Sequence, residues 1–306
     1  MECVTVGHIS IDRIRTGGRE NTQLGGAAVY SAMGAKIFSR TGLVSRVGGD
    51  FPAEFHSTLK EAGIDTTGLK RVGGKSTLFD IDYAKDGSAN YTRHELNVGV
   101  YIRPEDIPPA YADAQAFHIA PMAASKQRAF VDFLRKRSNA CISLNTHGGY
   151  FLKYRGEILD LMPKVDIFTL NDEEAMRLTE TKSLEQALNA LKRAPHNLLV
   201  VTMGVYGSIV VEDEISFFPS LHQPTVIDLT GCGDAFAGAF VASYLKTNDP
   251  LKSANIANSV ASIVATDWNF QAVRGLKFHN LERFQEFVVS RQRRLAKSQR
   301  SLENFL

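Results

Sequence analysis

Three features are scarce in this chain, and each scarcity excludes a class of protein. No stretch of its 306 residues approaches the roughly 20 consecutive apolar residues needed to cross a bilayer, so we expect no membrane segment. Its three cysteines, Cys3, Cys141 and Cys232, are far apart, which argues against a disulfide framework and against a structural zinc site. The net charge is only +2, which argues against a general nucleic-acid-binding protein.

The two ends of the chain are consistent with a cytoplasmic protein of one domain. Residues 1–11 mix polar and apolar types as a strand does and lack the charged start and long apolar stretch of a secretory signal. The basic run at 291–300 is interpreted as the solvated face of a helix. With 44% hydrophobic residues, a chain of this length can bury one large core, so we expect a single domain over 1–306.

Short apolar runs alternate with helical patterns along most of the chain. Runs rich in β-branched residues predict strands at 3–6, 116–120, 140–144, 165–170, 198–202 and 208–211. Apolar spacing predicts helices at 52–62, 126–136, 173–179, 184–193, 233–246, 250–266 and 280–297. Because strands that alternate with helices favour βαβ units, we expect an α/β fold with a doubly wound, mostly parallel sheet flanked by helices.

One region breaks this alternation of strands and helices. Between residues 75 and 101, apolar and polar side chains alternate around the turn signal Asp86-Gly87, which predicts a β-hairpin outside the helix-covered sheet. We interpret this hairpin as a small β-lid, with residues 12–23 as a candidate second part. Such a lid would fold over a substrate and exclude water from it.

Several familiar motifs are only partly present. Residues 73–76 (GGKS) resemble the end of a P-loop, but the first glycine of that motif would fall on Leu69. Residues 231–233 (GCG) could begin a dinucleotide-binding fingerprint, but its third glycine would fall on Phe236. The sequence also lacks HExxH, GxSxG and HRD segments. It therefore gives no support to a P-loop protein, a zinc protease, an α/β-hydrolase or a protein kinase, and NAD binding becomes a minor alternative.

Residues 226–240 (VIDLTGCGDAFAGAF) have the pattern of a short extended piece, a glycine turn and a helix. Backbone N–H groups at a helix start lack partners within the helix, and the helix dipole is positive there. Gly231, Cys232 and Gly233 would therefore form a site for anionic phosphoryl oxygens. Asp234 in the first turn is stabilised as an anion and can accept a proton from a substrate hydroxyl. From these residues alone, an ordinary glycine turn with a helix-capping aspartate remains an alternative.

This segment resembles the C-terminal signature of the ribokinase/PfkB family of carbohydrate kinases, usually Asp-Thr-x-Gly-Ala-Gly-Asp. Four further segments resemble other motifs of that family in the same order: the di-glycine motif at 24–30 (LGGAAVY), its Gly-x(5)-Gly-x-Asp continuation at 42–50 (GLVSRVGGD), Asn-x-x-Glu at 171–174 (NDEE), and the nucleotide loop Thr-x-Gly-x-x-Gly at 202–207 (TMGVYG). The resemblance spans roughly residues 4–275. It implies a ribokinase-like fold and a kinase that uses ATP and Mg²⁺.

The resemblance also implies a role for individual residues around the acceptor. Asp234 would be the catalytic base, and the turn at 231–233 would form the anion hole. Asp12, Gly25 and Gly26 would bind the hydroxyl groups of the substrate. From its position alone, Asp12 is better explained as a cap or turn residue after a strand.

On the nucleotide side, the resemblance implies that Asn171 and Glu174 organise Mg²⁺ and its water molecules beside ATP, with Glu174 acting through water. Thr202, Gly204 and Gly207 would line the nucleotide. Outside the family context, Asn171 and Glu174 would be a helix N-cap and an acidic residue of the first turn.

Four departures from the family pattern bear on function. Cys232 replaces the usual alanine, which leaves the anion hole intact if the contact is made by the backbone, and Leu229 replaces a common threonine. Ala27 stands where many members carry Asn or Ser, so the sugar stays unassigned. Residues 266–275 (TDWNFQAVRG) are bulkier than the segment that holds a monovalent cation in many relatives, although Asp228 is a candidate ligand for such a cation.

Three functions are compatible with these residues. The leading one is ATP- and Mg²⁺-dependent phosphorylation of a hydroxyl on a sugar or sugar-like polyol. The second is a nucleoside kinase in which the aromatic residues Phe79, Tyr83 and Tyr91 of the lid stack on a base, although packing across the strands also explains them. The third is a catalytically silent ligand-binding protein on the same fold. Since several relatives pair their lids, a homodimer through the lid is the candidate assembly.

Overall fold

The computed structural model describes residues 1–16, 19–83, 89–223 and 225–303. Within these ranges the strands are β1 Cys3–Val6, β2 Ser10–Thr16, β3 Arg19–Gly25, β4 Thr41–Val47, β5 Asp65–Arg71, β6 Thr77–Tyr83, β7 Ala89–Glu95, β8 Ala116–Ile119, β9 Cys141–Asn145, β10 Ile167–Asn171, β11 Leu198–Thr202, β12 Gly207–Val211 and β13 Ile215–Pro219. The helices are α1 Ala27–Ala35, α2 Ala53–Glu61, α3 Ala124–Arg135, α4 Phe151–Leu161, α5 Asp172–Thr179, α6 Leu184–Arg193, α7 Cys232–Thr247, α8 Pro250–Val264, α9 Gln271–Arg274 and α10 Leu281–Glu303. None of the described helices is long and apolar enough to cross a membrane.

The larger of two sheets has its strands in the order β13-β12-β11-β10-β9-β8-β1-β4-β5. In this order, the seven neighbouring strands β5, β4, β1, β8, β9, β10 and β11 are parallel to one another. Strands β12 and β13 are antiparallel and lie at the edge beyond β11. From β1 the chain adds β4 and β5 on one side and β8 to β11 on the other. The strand order therefore reverses between β1 and β8, which leaves a crevice at the carboxyl ends of the strands. The predicted doubly wound, mostly parallel sheet is confirmed.

Helices cover both faces of the large sheet because its strands are apolar on both sides. All four residues of β1 are buried, and their side chains alternate between two core clusters. One cluster contains the buried faces of α1, α7 and α8, and the other contains those of α3 to α6. Strands that are buried on both faces are typical of parallel sheets.

A second, smaller sheet has the strand order β3-β2-β6-β7. We call it the small sheet. Strands β2 and β6 are parallel, and the two outer pairs are antiparallel. The hairpin predicted at 75–101 corresponds to β6 and β7, and residues 12–23 belong to β2 and β3 of the same sheet. The turn residues Asp86 and Gly87 lie outside the described residues. That the small sheet covers a substrate stays a prediction.

Helices α1 and α7 meet at two glycines. A Cβ atom at Gly34 of α1 would overlap the carbonyl oxygen of Ala235, and one at Gly238 of α7 would overlap that of Ser31. The backbones of the two helices are therefore in direct contact. Because the di-glycine motif precedes α1 and the glycine turn precedes α7, this contact sets the distance between those two motifs.

Candidate active site

Asp234 lies in the first turn of α7, where its carboxylate is held by a neighbouring amide. The side-chain nitrogen Nδ2 of Asn145 donates a hydrogen bond to Asp234 Oδ1 at 2.9 Å. Burial raises the pKa of Asp234 to about 6, and the hydrogen bond from Asn145 opposes this increase. The carboxylate is therefore ionised at neutral pH and is more basic than an ordinary aspartate.

The contact with Asn145 was not predicted from the sequence. Asn145 is the last residue of β9, at the carboxyl edge of the large sheet. The contact could have been suspected because an asparagine ends the apolar strand sequence CISLN. Proteins of the α/β class place ligand-binding groups at the carboxyl ends of their strands.

The glycine turn before α7 has the geometry of an anion site. Gly231, the N-cap, has a φ of 72°, and a Cβ atom there would overlap the ring of Tyr30. The N–H of Cys232 donates to the carbonyl of Leu229 at 3.3 Å, so this predicted donor has a partner within the turn. The N–H groups of Gly233 and Asp234 have no acceptor within the helix because of their position in its first turn. A Cβ atom at Gly233 would meet open space, so this is where an anion has room to bind.

Cys232 does not obstruct the open space beside Gly233. Its thiol lies 3.8 Å from the carbonyl oxygen of Asp228, and burial raises its pKa to about 12. The thiol is neutral at physiological pH, and the substitution of alanine by cysteine adds no charge to the anion site.

Asp228 links the glycine turn to the di-glycine motif. It is buried, and its two carboxylate oxygens accept hydrogen bonds from the N–H of Thr230 at 2.9 Å and the N–H of Asn269 at 3.2 Å. The side-chain amide of Asn269 in turn donates to the carbonyl of Leu24 at 2.8 Å. Each oxygen of Asp228 thus accepts one backbone N–H group and keeps a second lone pair, and the role of Asp228 as a monovalent-cation ligand stays a prediction.

The predicted substrate residues lie where β2 and β3 meet. Asp12 is buried, and the Ser10 hydroxyl donates to its Oδ1 at 2.6 Å. A Cβ atom at Gly25 would overlap the Asp12 carboxylate, so this carboxylate lies directly against the di-glycine motif. Burial raises the pKa of Asp12 to about 7, the Ser10 hydroxyl lowers it, and the Asp228 carboxylate raises it further. The Asp12 carboxylate therefore lies near the Asp228 carboxylate of the segment that precedes α7.

Asn171 and Glu174 form a reciprocal cap at the start of α5. The Asn171 side chain accepts from the N–H of Glu174 at 2.8 Å, and Glu174 Oε2 accepts from the N–H of Asn171 at 2.9 Å. Burial raises the pKa of Glu174 to about 7, and the nearby Asp234 raises it further. Glu174 thus lies close to the candidate base.

The described residues contain no cluster of three or more His, Cys, Asp or Glu side chains able to hold a metal ion alone. Mg²⁺ commonly keeps several waters and takes its other ligands from substrate phosphates and one or two carboxylates, so its binding does not require such a cluster. Glu174 is the carboxylate beside the anion site that fits this role.

The predicted nucleotide loop joins β11 to β12. Thr202 ends β11 and pairs with Asn171, which places the loop beside α5. Gly204 has a φ of 54°, and the N–H of Met203 donates to the carbonyl of Gly207 at 2.8 Å. The intervening side chains of Val205 and Tyr206 are 59% and 72% exposed, which leaves apolar surface available to a ligand.

The geometry brings most of the predicted residues into one crevice. Asn145 contacts Asp234, Glu174 lies near Asp234, and Asp228 lies near Asp12. The crevice, called the cleft below, is therefore bounded by the Asp12 face of the small sheet and by the carboxyl edge of the large sheet. It contains the carboxylates of Asp12, Glu174 and Asp234 and the first turn of α7.

Comparison with known proteins identifies related kinases. The model of the pfkB family carbohydrate kinases matches residues 2–272. A cytidine kinase of Thermococcus kodakarensis is 32% identical over 249 residues, which cover 80% of this chain and 88% of that protein.

Two solved structures show the same fold. The nucleoside kinase of Methanocaldococcus jannaschii, described as an archaeal member of the ribokinase family, aligns with a TM-score of 0.76 and 23% identity over 96% of this chain and 99% of that one. A fructokinase of Vibrio cholerae O395 with bound fructose, ADP and calcium ion aligns with a TM-score of 0.76 and 20% identity over 89% and 96% of the two chains. The chain belongs to the pfkB family of carbohydrate kinases, and it is an ATP-dependent phosphotransferase of the kind that acts on sugars or nucleosides.

Proposed function

We propose that the protein transfers the γ-phosphoryl group of ATP to a hydroxyl of a small sugar-containing acceptor, with Asp234 as general base and Mg²⁺ bound with the nucleotide. The observation that carries this proposal is the position of Asp234, whose pKa is raised to about 6, beside an open anion site at the start of α7. ADP release should be measured with a panel of ribose, fructose, inositols and nucleosides as acceptors. The proposal is wrong if none of them stimulates ADP formation.

The residues suggest one order of events. Asp12 and the backbone at Gly25 and Gly26 would bind hydroxyl groups of the acceptor and direct another hydroxyl to Asp234. As the acceptor oxygen forms its bond to the γ-phosphorus, its proton moves to the Asp234 carboxylate and the bond to the ADP oxygen breaks. The N–H groups at the start of α7 would stabilise the charge on the transferred oxygens.

On the nucleotide side, Mg²⁺ would neutralise phosphate charge when bound, and Glu174 would orient its water molecules. The Thr202–Gly207 loop would line the nucleotide. The N–H of Ser220 donates to the Tyr206 carbonyl at 3.2 Å, so the end of β13 adjoins the loop. Val226, Ile227 and Leu229 are exposed apolar residues of the segment before α7 and could pack against a purine base. A cytoplasmic location and a homodimer through the small sheet stay predictions.

The variant Glu174→Gln is expected to raise the Mg²⁺ concentration required for half-maximal activity by about 10- to 100-fold, the usual cost of removing a group that orients metal-bound water. The acceptor KM should change little, because Glu174 lies beside Asp234 rather than beside Asp12. Titration of Mg²⁺ at saturating ATP measures the effect. The exposed neighbour Glu173→Gln is the control and should behave as the parent protein. An unchanged metal dependence would remove Glu174 from the site.

The variant Asn145→Ala is expected to move the acidic limb of the kcat/KM profile to higher pH. In the parent protein activity should fall as the pH decreases from about 7 to 6, first because Asp12 and Glu174 become protonated and then because Asp234 does. A hydrogen bond to a charged group contributes about 1.5–3 kcal/mol, and one pKa unit corresponds to about 1.4 kcal/mol. Loss of the Asn145 amide should therefore raise the pKa of Asp234 by about one to two units, which moves its part of the limb to pH 7 or above. A uniform loss of activity at every pH would show that Asn145 does not tune the base.

A further inference from the structure

One buried histidine of the large sheet lies directly behind the residue that holds the candidate base. His118 is the third residue of β8, is fully buried and pairs with Ser143 of β9. Asn145 follows Ser143 by two residues on the same strand, so the three side chains extend from one face of the sheet. This is the face on which α7 packs, because the Asn145 amide reaches Asp234 in the first turn of that helix. The proposed reaction assigns no role to His118.

The polar atoms of His118 and Asn145 complement each other. His118 Nδ1 lies 3.1 Å from the Ser143 hydroxyl oxygen. The other ring nitrogen, Nε2, is buried and has no hydrogen-bond partner among the described residues, and the same holds for Asn145 Oδ1. Because a buried donor or acceptor without a partner destabilises the folded protein, a hydrogen bond between these two atoms would satisfy both.

The ring is the donor in such a hydrogen bond. Burial lowers the pKa of His118 to about 4, so the ring is neutral at physiological pH and carries one N–H and one acceptor nitrogen. Hydrogen bonding to the Asn145 side chain opposes this decrease of the pKa, which is the effect of an oxygen that accepts from the ring. With the proton on Nε2, Nδ1 can accept from the Ser143 hydroxyl. With the proton on Nδ1, two acceptor atoms, Nε2 and Asn145 Oδ1, would face each other.

The orientation of the Asn145 amide determines what the candidate base contacts. The oxygen and the nitrogen of a carboxamide have almost the same shape, so a half-turn about its last bond exchanges them. After this half-turn, Oδ1 of Asn145 would lie beside the Asp234 carboxylate and repel it. An N–H group that donates to Oδ1 from the other side disfavours the half-turn.

We propose that His118 is a positioning residue that donates from Nε2 to Asn145 Oδ1 and so keeps Nδ2 of Asn145 on the Asp234 carboxylate. The inference rests on the proposed function, because it describes how the proposed general base is held. In this arrangement His118 contacts neither the acceptor nor the nucleotide. It acts through Asn145, in the way that supporting hydrogen bonds fix the side chains of a catalytic site.

The test compares two substitutions of His118. Glutamine places a side-chain N–H near the position of Nε2, whereas asparagine is one methylene shorter and ends near the position of Nδ1. His118→Asn should therefore lower kcat by about 2- to 10-fold, the contribution of one neutral hydrogen bond, with little change in the KM for ATP or for the acceptor. His118→Gln should keep kcat within about twofold of the parent value. His196→Asn is the matched control, because His196 precedes β11 at the amino edge of the sheet, and it should turn over like the parent protein.

A double-mutant cycle shows whether His118 acts through Asn145. In Asn145→Ala there is no amide to orient, so the addition of His118→Asn should lower kcat by less than about twofold. Losses that multiply in the double variant would mean that His118 acts independently of Asn145, and the proposal would be wrong. It is also wrong if His118→Asn and His118→Gln have the same kcat. A thermal melt of each variant identifies any that does not fold.

The position of the ring proton provides a second measurement, which needs no turnover. A long-range proton–nitrogen NMR spectrum of the ¹⁵N-labelled parent protein at neutral pH should show the proton on Nε2 of His118, with a resonance that shifts in Asn145→Ala. A proton on Nδ1, or a His118 resonance that does not respond to Asn145→Ala, overturns the proposal. Because the spectrum does not depend on catalysis, it decides this contact even if no acceptor is phosphorylated and the proposed function fails.

Discussion

The variant Asp234→Asn is expected to lower kcat by about 10² to 10⁴, the usual contribution of a positioned general base. Asparagine has nearly the same shape as aspartate, and its side-chain oxygen can still accept the hydrogen bond from Asn145, so folding and nucleotide binding should be retained. The amide cannot take the proton of the acceptor hydroxyl. Turnover with the preferred acceptor, together with a thermal melt and titration of a nonhydrolysable ATP analogue, separates these effects.

The control for this experiment is Asp213→Asn, which removes an exposed carboxylate from the turn between β12 and β13. It should keep the turnover of the parent protein. In Asp234→Asn, the residual activity should also lose the step near pH 6 that titration of Asp234 produces in the parent, while the decrease near pH 7 that Asp12 and Glu174 produce should remain. A variant that retains near-parental turnover, or that keeps the step near pH 6, would mean that another group accepts the proton.

Substitution by alanine is expected to lower stability at one glycine of the turn before α7 and to lower kcat at the other. Gly231→Ala should destabilise the protein by about 2–4 kcal/mol, because the left-handed φ of 72° strains an alanine and the new methyl group overlaps the ring of Tyr30. Gly233→Ala should leave the melting temperature unchanged or slightly higher, because position 233 is helical and its Cβ atom meets open space. That open space is the proposed site of the transferred phosphoryl oxygens, so kcat should fall by about 10²- to 10³-fold.

Thermal melts and kinetics of both variants measure this contrast. Gly238→Ala in the next turns of α7 is a third arm, since it should destabilise the helix contact with α1 without adding an atom to the anion site. If Gly233→Ala melts like the parent and also turns over like the parent, the anion does not bind at that position, and the phosphoryl group must be held elsewhere in the cleft.

Much of the fold could be predicted because the apolar runs of the large sheet are short and separate. The strand at 198–202 and the helix at 184–193 were predicted with the bounds that the structure shows, and most other predicted elements agree to within a few residues. Strands β4 and β5 were not predicted as strands. Their sequences, TGLVSRV and DTTGLKR, contain glycines and charged residues, and their pairing with β1 and with each other decides their conformation.

The small sheet shows why a site is harder to predict than a fold. The alternating pattern near residue 80 predicted a hairpin, but the parallel pairing of β2 with β6 joins segments about 65 residues apart and leaves no local signal. This pairing places Phe79 next to Asp12. The Asn145 contact with Asp234 likewise joins the end of β9 to the start of α7, 89 residues further along the chain. Asn171 and Glu174 show the reverse case, since their spacing alone predicted the cap that the structure contains.

The backbone contact between α1 and α7 bears on how the enzyme could be re-engineered. Gly34 and Gly238 lie outside the proposed site, yet a methyl group at either position would overlap a carbonyl oxygen of the facing helix and force the two helices apart. A misplacement of about 1 Å in the alignment of reactants can cost about 100-fold in rate. A library designed to obtain a kinase for a new acceptor should therefore hold these two codons fixed and diversify positions 23 and 79, which pair with Asp12 in the small sheet. Mutations at these positions would change the acceptor that binds, while the distance between the di-glycine motif and the glycine turn would stay the same.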